Sequence, residues 1–373
     1  MGDFIFNDVI RSNQNSEYFL KTANSEYENR IISSFFRNGT LISTQFKDYD
    51  TSIHGEHLLQ ETRTFHDEKK AEVQSLLGLS EKMRDSEQVE TKNLIGLAFL
   101  RRGMYEEAVR EFEEAAVLDK DNALIYNNLG RSYLGVERIN EATKVLRMAI
   151  KLRSQFADVH NNLGLAYLRK GQCKKAVECF DKAVEINTYY AEAFYNLGLA
   201  YVLNAHKRED FNLSVNCYSN VMDYMEKAIK INPAYRNEHF DRGEALLRNK
   251  EYEEAYAEFE KGKRDVAPAT DFPFILDFYL RVLHNESKLK SGMVLRHIKE
   301  IERNLKQYPN YADLYNHLGV AYVILSKIIN NKASLQFEKA LEINPEFVRA
   351  KRNQRLAQYD QKGIQLLFDA ILK

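Results

Sequence analysis

The sequence is poor in the residues that mark specialised classes of protein. Among its 373 residues there are no tryptophans, 5 prolines and 3 cysteines, and 53 basic residues almost balance 54 acidic ones. An odd number of cysteines argues against a disulfide framework, and Cys173, Cys179 and Cys217 lack the spacing of a metal site. The net charge of -1 gives no electrostatic reason to expect nucleic acid as a partner.

Long apolar runs are missing as well. No stretch reaches the roughly 18 apolar residues of a membrane span. Residues 1–30 lack the basic start and the apolar core of a secretory signal. Gly2 follows Met1, but Phe6 stands where the myristoylation pattern requires Ser or Thr. We therefore expect a cytoplasmic protein without membrane insertion.

The sequence also lacks motifs for chemistry. It has no glycine-rich phosphate loop, and no recognisable motif in it pairs a nucleophile with a base. His54, His57 and His66 are close in sequence, but no cysteine or carboxylate cluster completes a metal site around them. We expect a non-catalytic protein with no cofactor.

What the sequence does contain is a recurring unit of 34 residues. In each copy Leu-Gly is followed three residues later by Tyr, and an alanine comes twelve residues after the glycine. Gly96 and Gly198 lie on the same grid, which indicates a repeat array. The landmark residues of the two clearest copies are Tyr126, Leu129, Gly130, Tyr133, Ala142 and Leu146, then His160, Leu163, Gly164, Tyr167, Ala176 and Phe180.

These letters, their order and their period resemble the tetratricopeptide repeat (TPR). The resemblance implies an all-α fold, a right-handed superhelix of about seven helix pairs. The fourth repeat carries eleven extra residues, the sixth lacks Leu-Gly, and the seventh carries a two-residue insertion. The predicted array spans residues 89–347, with repeats at 89–122, 123–156, 157–190, 191–235, 236–269, 270–311 and 312–347, and a C-terminal capping helix follows at 348–373.

Small residues at fixed places in each repeat predict close contact between its two helices. A larger side chain there would push the helices apart. The predicted contact residues are the glycines Gly96, Gly130, Gly164, Gly198, Gly243 and Gly319, and the alanines Ala108, Ala142, Ala176 and Ala255.

Residues 1–88 follow a different pattern. Asn38-Gly39 separates two β-prone runs, which predicts a β-hairpin with a type I′ turn. An apolar stripe from about His54 to Met83 predicts a helix that covers the hairpin. Residues 1–29 fit either a mobile arm or a short helix from about Tyr18 to Glu28. The segment is expected to be a small α+β cap or a dimerisation module.

The TPR resemblance places function in the groove that the first helices line, which in that family binds a peptide or a partner helix. We therefore expect a protein–protein interaction scaffold or adaptor. An asparagine amide both donates and accepts, so a row of asparagines can hydrogen-bond a peptide backbone. The alternative is that Asn before Leu-Gly is simply common in the repeat. The predicted groove residues are Asn127, Asn128, Arg131, Asn161, Asn162, Leu165, Arg169, Asn196 and Leu199.

A second hypothesis concerns the two ends of the chain. In it the protein is a structural subunit of a multiprotein assembly or a homo-oligomer, and residues 1–88 and the last helix make the contacts. The groove is then incidental. Both hypotheses predict a protein partner.

Overall fold

The structure, a computed structural model, describes residues 4–11, 17–25, 27–50, 52–85, 87–266, 273–284, 290–307 and 312–372. Sixteen helices and one four-stranded sheet lie in these ranges. This confirms a mainly helical fold with a small N-terminal β module. The chain divides into two compact units, Met1–Asp271 and Phe272–Lys373.

The sheet of the first unit is an antiparallel meander whose strands lie in the order β1-β2-β3-β4. Asn38 and Gly39 form the turn between β3 and β4, with φ of 48° and 78°. The predicted hairpin is therefore confirmed, since a type I′ turn needs positive φ at both positions. The strands are β1 Ile5–Arg11, β2 Glu17–Ser25, β3 Arg30–Arg37 and β4 Thr40–Asp48.

The first two strands correct the prediction for residues 1–29. The segment is neither an arm nor a short helix from Tyr18 to Glu28, because β2 pairs with β1 on one side and with β3 on the other. Alternate side chains of β2 are buried, among them Tyr18, Leu20 and Thr22. Some of the inward-pointing residues of β2 are polar. The alternation of buried and exposed positions therefore does not appear in the sequence as an alternation of apolar and polar residues.

Helix α1, Glu56–Lys82, packs against one face of the sheet, which we call the inner face. Its length agrees with the helix predicted from His54 to Met83. Leu58 and Phe65 of α1 are buried against Ile31 of β3. The helix thus supplies the apolar cover that a small sheet needs to be stable.

Helices α2 to α7 form three consecutive pairs. Within each pair the two helices pack closely, and the first helix of a pair also packs on the second helix of the pair before it. The pairs are α2 Val89–Arg101 with α3 Tyr105–Leu118, α4 Ala123–Gly135 with α5 Ile139–Leu152, and α6 Ala157–Arg169 with α7 Cys173–Ile186.

The predicted contact between paired helices is confirmed at five glycines. A Cβ added to Gly164 would lie 2.5 Å from Cε1 of Phe180. This is closer than side-chain atoms approach one another, so any larger residue forces the helices to move. The four predicted alanines are fully buried on the second helices. The other glycines and their facing residues are Gly96 with Phe112, Gly130 with Leu146, Gly198 with Met225, and Gly243 with Phe259.

The fourth pair holds the extra residues in an ordered insertion. The amide of buried Asn204 donates to the carbonyl oxygen of Asp210 at 2.9 Å and to Oγ of Ser214 at 3.0 Å, and its Oδ1 accepts from the Asp210 backbone N–H at 2.9 Å. The helices of this pair and the next are α8 Ala191–Lys207, α9 Phe211–Ser214 and α10 Cys217–Ile231, then α11 Glu238–Arg248 and α12 Tyr252–Asp265.

Beyond this insertion the packing changes. Helix α12, the second helix of the fifth pair, packs against α8. The Tyr195 hydroxyl of α8 donates to the carbonyl oxygen of Phe259 in α12 at 3.0 Å. Leu199 of α8 lies in the same buried cluster as Ala255 and Phe259. The side of α8 that carries Leu199 is therefore covered by α12.

The second unit corrects the prediction of a seventh helix pair at 312–347. That segment is one continuous helix, α15, and α16 packs against it. No described atom lies within 4 Å of a Cβ added to Gly319, so the predicted close contact there is wrong. The helices of this unit are α13 Pro273–His284, α14 Ser291–Gln307, α15 Ala312–Ile343 and α16 Val348–Leu372.

In α15 the position at which the other pairs turn stays helical. In four of the pairs the turn after the first helix holds a residue with positive φ, seven residues after the glycine. Ser326 occupies this position in α15 and remains helical. In addition, Gly319 and Ala333 are fourteen residues apart rather than twelve, which is close to four full turns of a continuous helix. The positive-φ residues are Gly103 (72°), Glu137 (60°), Gly171 (70°) and Lys250 (65°).

Candidate binding surface on the first helices

The first helices of neighbouring pairs contact one another, α4 with α6 and α6 with α8. We call the surface that these three helices form together the first-helix face. All nine predicted groove residues lie on α4, α6 and α8. The structure divides them into a buried group and an accessible group.

The five asparagines are buried, and each of them bonds an asparagine of a neighbouring repeat. In each case an amide N–H of one repeat donates to the amide oxygen of an asparagine 35 residues earlier, which belongs to the preceding repeat. Asn93 of α2 begins this asparagine ladder. Its bonds are Asn128 to Asn93 at 3.2 Å, Asn162 to Asn127 at 2.8 Å and Asn196 to Asn161 at 2.8 Å.

The ladder joins consecutive repeats. A buried amide that loses its partner costs about 1–3 kcal/mol, so each bond favours one alignment of a repeat on the next. Asn127, Asn161 and Asn196 are no more than 3% exposed, and Leu199 is fully buried. These buried residues hold the first helices together and are not themselves exposed on the first-helix face.

Arg131, Leu165 and Arg169 form the accessible group. Arg131 is exposed on α4, and Leu165 is half-buried on α6. The Arg169 guanidinium is 43% exposed and bonds Glu137 at 2.9 Å in the turn after α4. The surface thus offers one apolar side chain and two guanidinium groups from two successive repeats.

A charged cluster lies beside these residues, where α8 meets α12. Lys263 of α12 contacts Oε1 of Glu192 at 3.1 Å and donates to Oδ1 of Asn196 at 2.8 Å. The end of the asparagine ladder is therefore bound to a cation. The Glu192 side chain is partly buried, at 38% exposed, and the Lys263 side chain is mostly buried, at 18% exposed.

Neighbouring charges shift the pKa of two side chains here, Glu192 and Tyr190. Burial opposes ionisation of Glu192, but the Lys263 ammonium and the Arg131 guanidinium hold its pKa below the usual value. Burial raises the pKa of Tyr190 well above its usual value, and the carboxylates of Glu192 and Asp158 add to this effect. We call these five residues, Arg131, Asp158, Tyr190, Glu192 and Lys263, the charged cluster.

Of this cluster only Arg131 was among the predicted groove residues. Asp158 and Glu192 occupy the same place in successive repeats, 34 residues apart, and this spacing is a signal that the sequence contains. No regular spacing in the sequence marks Lys263 as a member of the cluster. It belongs to the fifth pair, which the insertion displaces from the 34-residue grid.

A polar network beneath the sheet accounts for the buried histidine of the N-terminal module. His66 is 3% exposed, its Nδ1 lies 2.9 Å from the Thr22 hydroxyl, and its Nε2 lies 2.9 Å from Oδ2 of Asp8. Hydrogen bonds from His66 and Lys70 hold the pKa of Asp8 below its usual value. Thr22 in turn lies 3.0 Å from the Ser33 hydroxyl. These bonds satisfy an imidazole that would be costly to bury alone.

The described residues contain no group of three or more His, Cys, Asp or Glu side chains placed to hold a metal ion. Over the same ranges, no helix combines the length and apolar character needed to cross a membrane.

Recurring helix pairs with a 34-residue period, joined by glycine contacts and an asparagine ladder, define a helical-repeat protein. The family model of the TPR repeat matches residues 96–136, 137–171 and 167–204. Residues 96–204 are thus TPR repeats, and the predicted helical-repeat fold class is confirmed. None of the curated proteins compared with the sequence matches it.

Several solved TPR structures are similar to parts of the chain. MamA of Desulfovibrio magneticus RS-1 is 24% identical, with a TM-score of 0.36, over 47% of this chain and 94% of its own. PilF of Pseudomonas aeruginosa is 19% identical, with a TM-score of 0.37, over 61% and 95%. YrrB, described as a TPR protein with an unusual peptide-binding site, is 17% identical, with a TM-score of 0.35, over 54% and 97%.

Proposed function

We propose that the protein is a non-catalytic interaction scaffold whose first-helix face binds a segment of a partner protein across α4 and α6. The observation that carries this proposal is the cluster of charged side chains from α4, α6, α8 and α12. Fixed charges brought together from distant parts of a chain favour complementary partners and exclude others. Their arrangement above a rigid ladder suits recognition by a pre-organised surface.

The accessible side chains suggest what the segment contains. Leu165 offers an apolar contact, and Arg131 and Arg169 offer guanidinium groups on the same first helices. A partner residue with an apolar side chain fits over Leu165, and an acidic residue next to it reaches Arg131. An arginine–carboxylate contact is frequently bidentate, which fixes the direction of the bound segment. The asparagines contribute indirectly, by holding α4, α6 and α8 in place.

Affinity purification followed by mass spectrometry tests the proposal with a matched pair of variants. Arg131→Glu reverses the charge on the first-helix face, whereas Arg147→Glu makes the same change at an exposed position of α5. We expect proteins captured by wild type and by Arg147→Glu to be lost with Arg131→Glu. Thermal melting of all three proteins checks that the fold is unchanged. Capture of the same proteins by both variants would contradict the proposal.

A further inference from the structure

The face of the sheet opposite α1, the outer face, is unusually apolar. Antiparallel sheets with one solvated face normally place polar residues there. Here five large apolar side chains point away from α1 and are at least 40% exposed. They are Ile5 (51%), Val9 (52%), Phe19 (40%), Leu41 (53%) and Phe46 (57%).

Strand pairing arranges the outer face in three rows that run across all four strands. The first apolar row and the second apolar row are separated by a polar row. The first apolar row is Val9, Phe19, Phe36 and Leu41, the polar row is Asn7, Lys21, Ser34 and Thr44, and the second apolar row is Ile5, Ala23, Ile32 and Phe46.

We propose that the outer face binds the same face of a second copy of this chain, around a two-fold axis parallel to the strands between β2 and β3. This operation places β1 over β4 and β2 over β3 of the second copy. Phe19 then packs on Phe36 of the second copy, and Ile5 packs on Phe46. A two-fold interface uses the same surface on both subunits, so the surface must complement itself.

The polar row supports this axis. Lys21 is the only charged residue in the three rows, and the axis sets it opposite the Ser34 hydroxyl of the second copy. Asn7 lies opposite Thr44 in the same way. A two-fold axis across the strands would instead set Lys21 against Lys21, which is unfavourable because like charges repel. Two aligned sheets pack about 10 Å apart with interdigitated side chains.

The size of the face sets the expected affinity. Four strands about 4.8 Å apart and about six residues long at 3.3 Å each cover roughly 400 Å² in projection per copy. The pair therefore lies below the roughly 800 Å² per partner of a standard interface, in the range of weak, transient ones. We expect a dimer with a dissociation constant in the micromolar range. This inference concerns a surface distinct from the first-helix face, and it does not depend on the proposed function.

Sedimentation velocity of the full chain over a range of micromolar concentrations tests the dimer. Wild type is expected to shift from monomer to dimer as concentration rises. Phe19→Lys and Val9→Lys each place a cation in the first apolar row, and each is expected to raise the dissociation constant at least about 100-fold. Val117→Lys on α3 is the matched control, because Val117 is 70% exposed far from the sheet in sequence. A monomeric wild type, or a dimer unchanged in both sheet variants, would overturn the proposal.

Cross-linking of thiols across the interface tests the arrangement. Facing sheets about 10 Å apart are too distant for a direct disulfide, so a short bismaleimide is used. A mixture of Asn7→Cys and Thr44→Cys proteins is expected to form a covalent dimer with this reagent, whereas Asn7→Cys alone is not. Wild type, treated in the same way, controls for the native cysteines. Trapping of Asn7→Cys with itself, or no trapping in the mixture, would contradict the axis along the strands.

Discussion

Helices α4 to α7 and helix α15 carry the same sequence pattern in different structures. In both places Leu-Gly is followed three residues later by tyrosine, with an alanine further on. In α6 and α7, Gly164 faces Phe180 of the paired helix across a gap too small for a side chain. In α15, the helix continues through the expected turn, and among the described residues no atom lies within 4 Å of a Cβ added to Gly319.

The comparison separates two parts of the TPR pattern. Leucine, glycine and tyrosine make a segment suitable for the first helix of a pair. The pair itself forms only where the chain can reverse after that helix and where a facing residue fills the space beside the glycine. Three matched substitutions test this difference, because each can be made at equivalent positions in a helix pair and in α15.

The largest effect is expected from leucine at the glycine. Gly164→Leu should lower the free energy of unfolding by several kcal/mol, at or above the upper end of the about 1–3 kcal/mol usual for overpacking. Gly319→Leu should be neutral or stabilise by up to about 1 kcal/mol, because leucine favours helix more than glycine does. Urea denaturation followed by circular dichroism measures both changes. Equal losses of unfolding free energy in the two variants would contradict the difference between the surroundings of Gly164 and Gly319.

A smaller effect is expected from the asparagine three residues before each glycine. Asn127→Ala removes the oxygen that accepts from Asn162, which leaves a buried amide unpaired at a cost of about 1–3 kcal/mol. Asn316 occupies the equivalent position in α15 and is exposed, so Asn316→Ala should change stability by less than about 0.5 kcal/mol.

A double-mutant cycle sharpens the test of the ladder. Once Asn127→Ala has removed the acceptor, Asn162→Ala should add less than it does in wild type, because the two residues share one bond. If the losses of unfolding free energy in the two single variants simply add in the double variant, the two amides act independently.

The smallest effects are expected at the turn, and they should have opposite signs. Lys250 holds a left-handed conformation that costs a non-glycine residue roughly 1 kcal/mol, so Lys250→Gly should stabilise by up to about that amount. Ser326 is in the interior of α15, where glycine costs about 0.5 kcal/mol, so Ser326→Gly should destabilise. Shifts in the urea midpoint would show both signs, and two changes of the same sign would contradict the assignment of the turn.

Part of this fold could be predicted because the pattern records short-range packing. The glycine and alanine positions predicted the helix pairs from α2 to α7, and Asn38-Gly39 predicted the hairpin. Strand β2 could not be recognised, because Thr22 and Asn24 take inward positions and their burial depends on polar partners. The continuous α15 could not be recognised either, since Glu137 and Lys250 make the turn without glycine.

The candidate site could be predicted less well. Its location on the first helices follows from the repeat. The burial of the asparagines does not, because each bond joins residues of different repeats and depends on how one repeat is rotated on the next. The place of Lys263 depends on the insertion before α10, whose length alone does not fix the packing of α12 on α8.

The distance between the ends of α15 tests the central claim most directly. Spin labels at Tyr315 and Glu342, both exposed and 27 residues apart, can be measured by pulsed electron resonance in the full chain. A continuous helix with a rise of 1.5 Å per residue predicts about 40 Å between these positions. A helix pair, with axes 8–10 Å apart, would bring the labels to about 20 Å or less and would contradict the account.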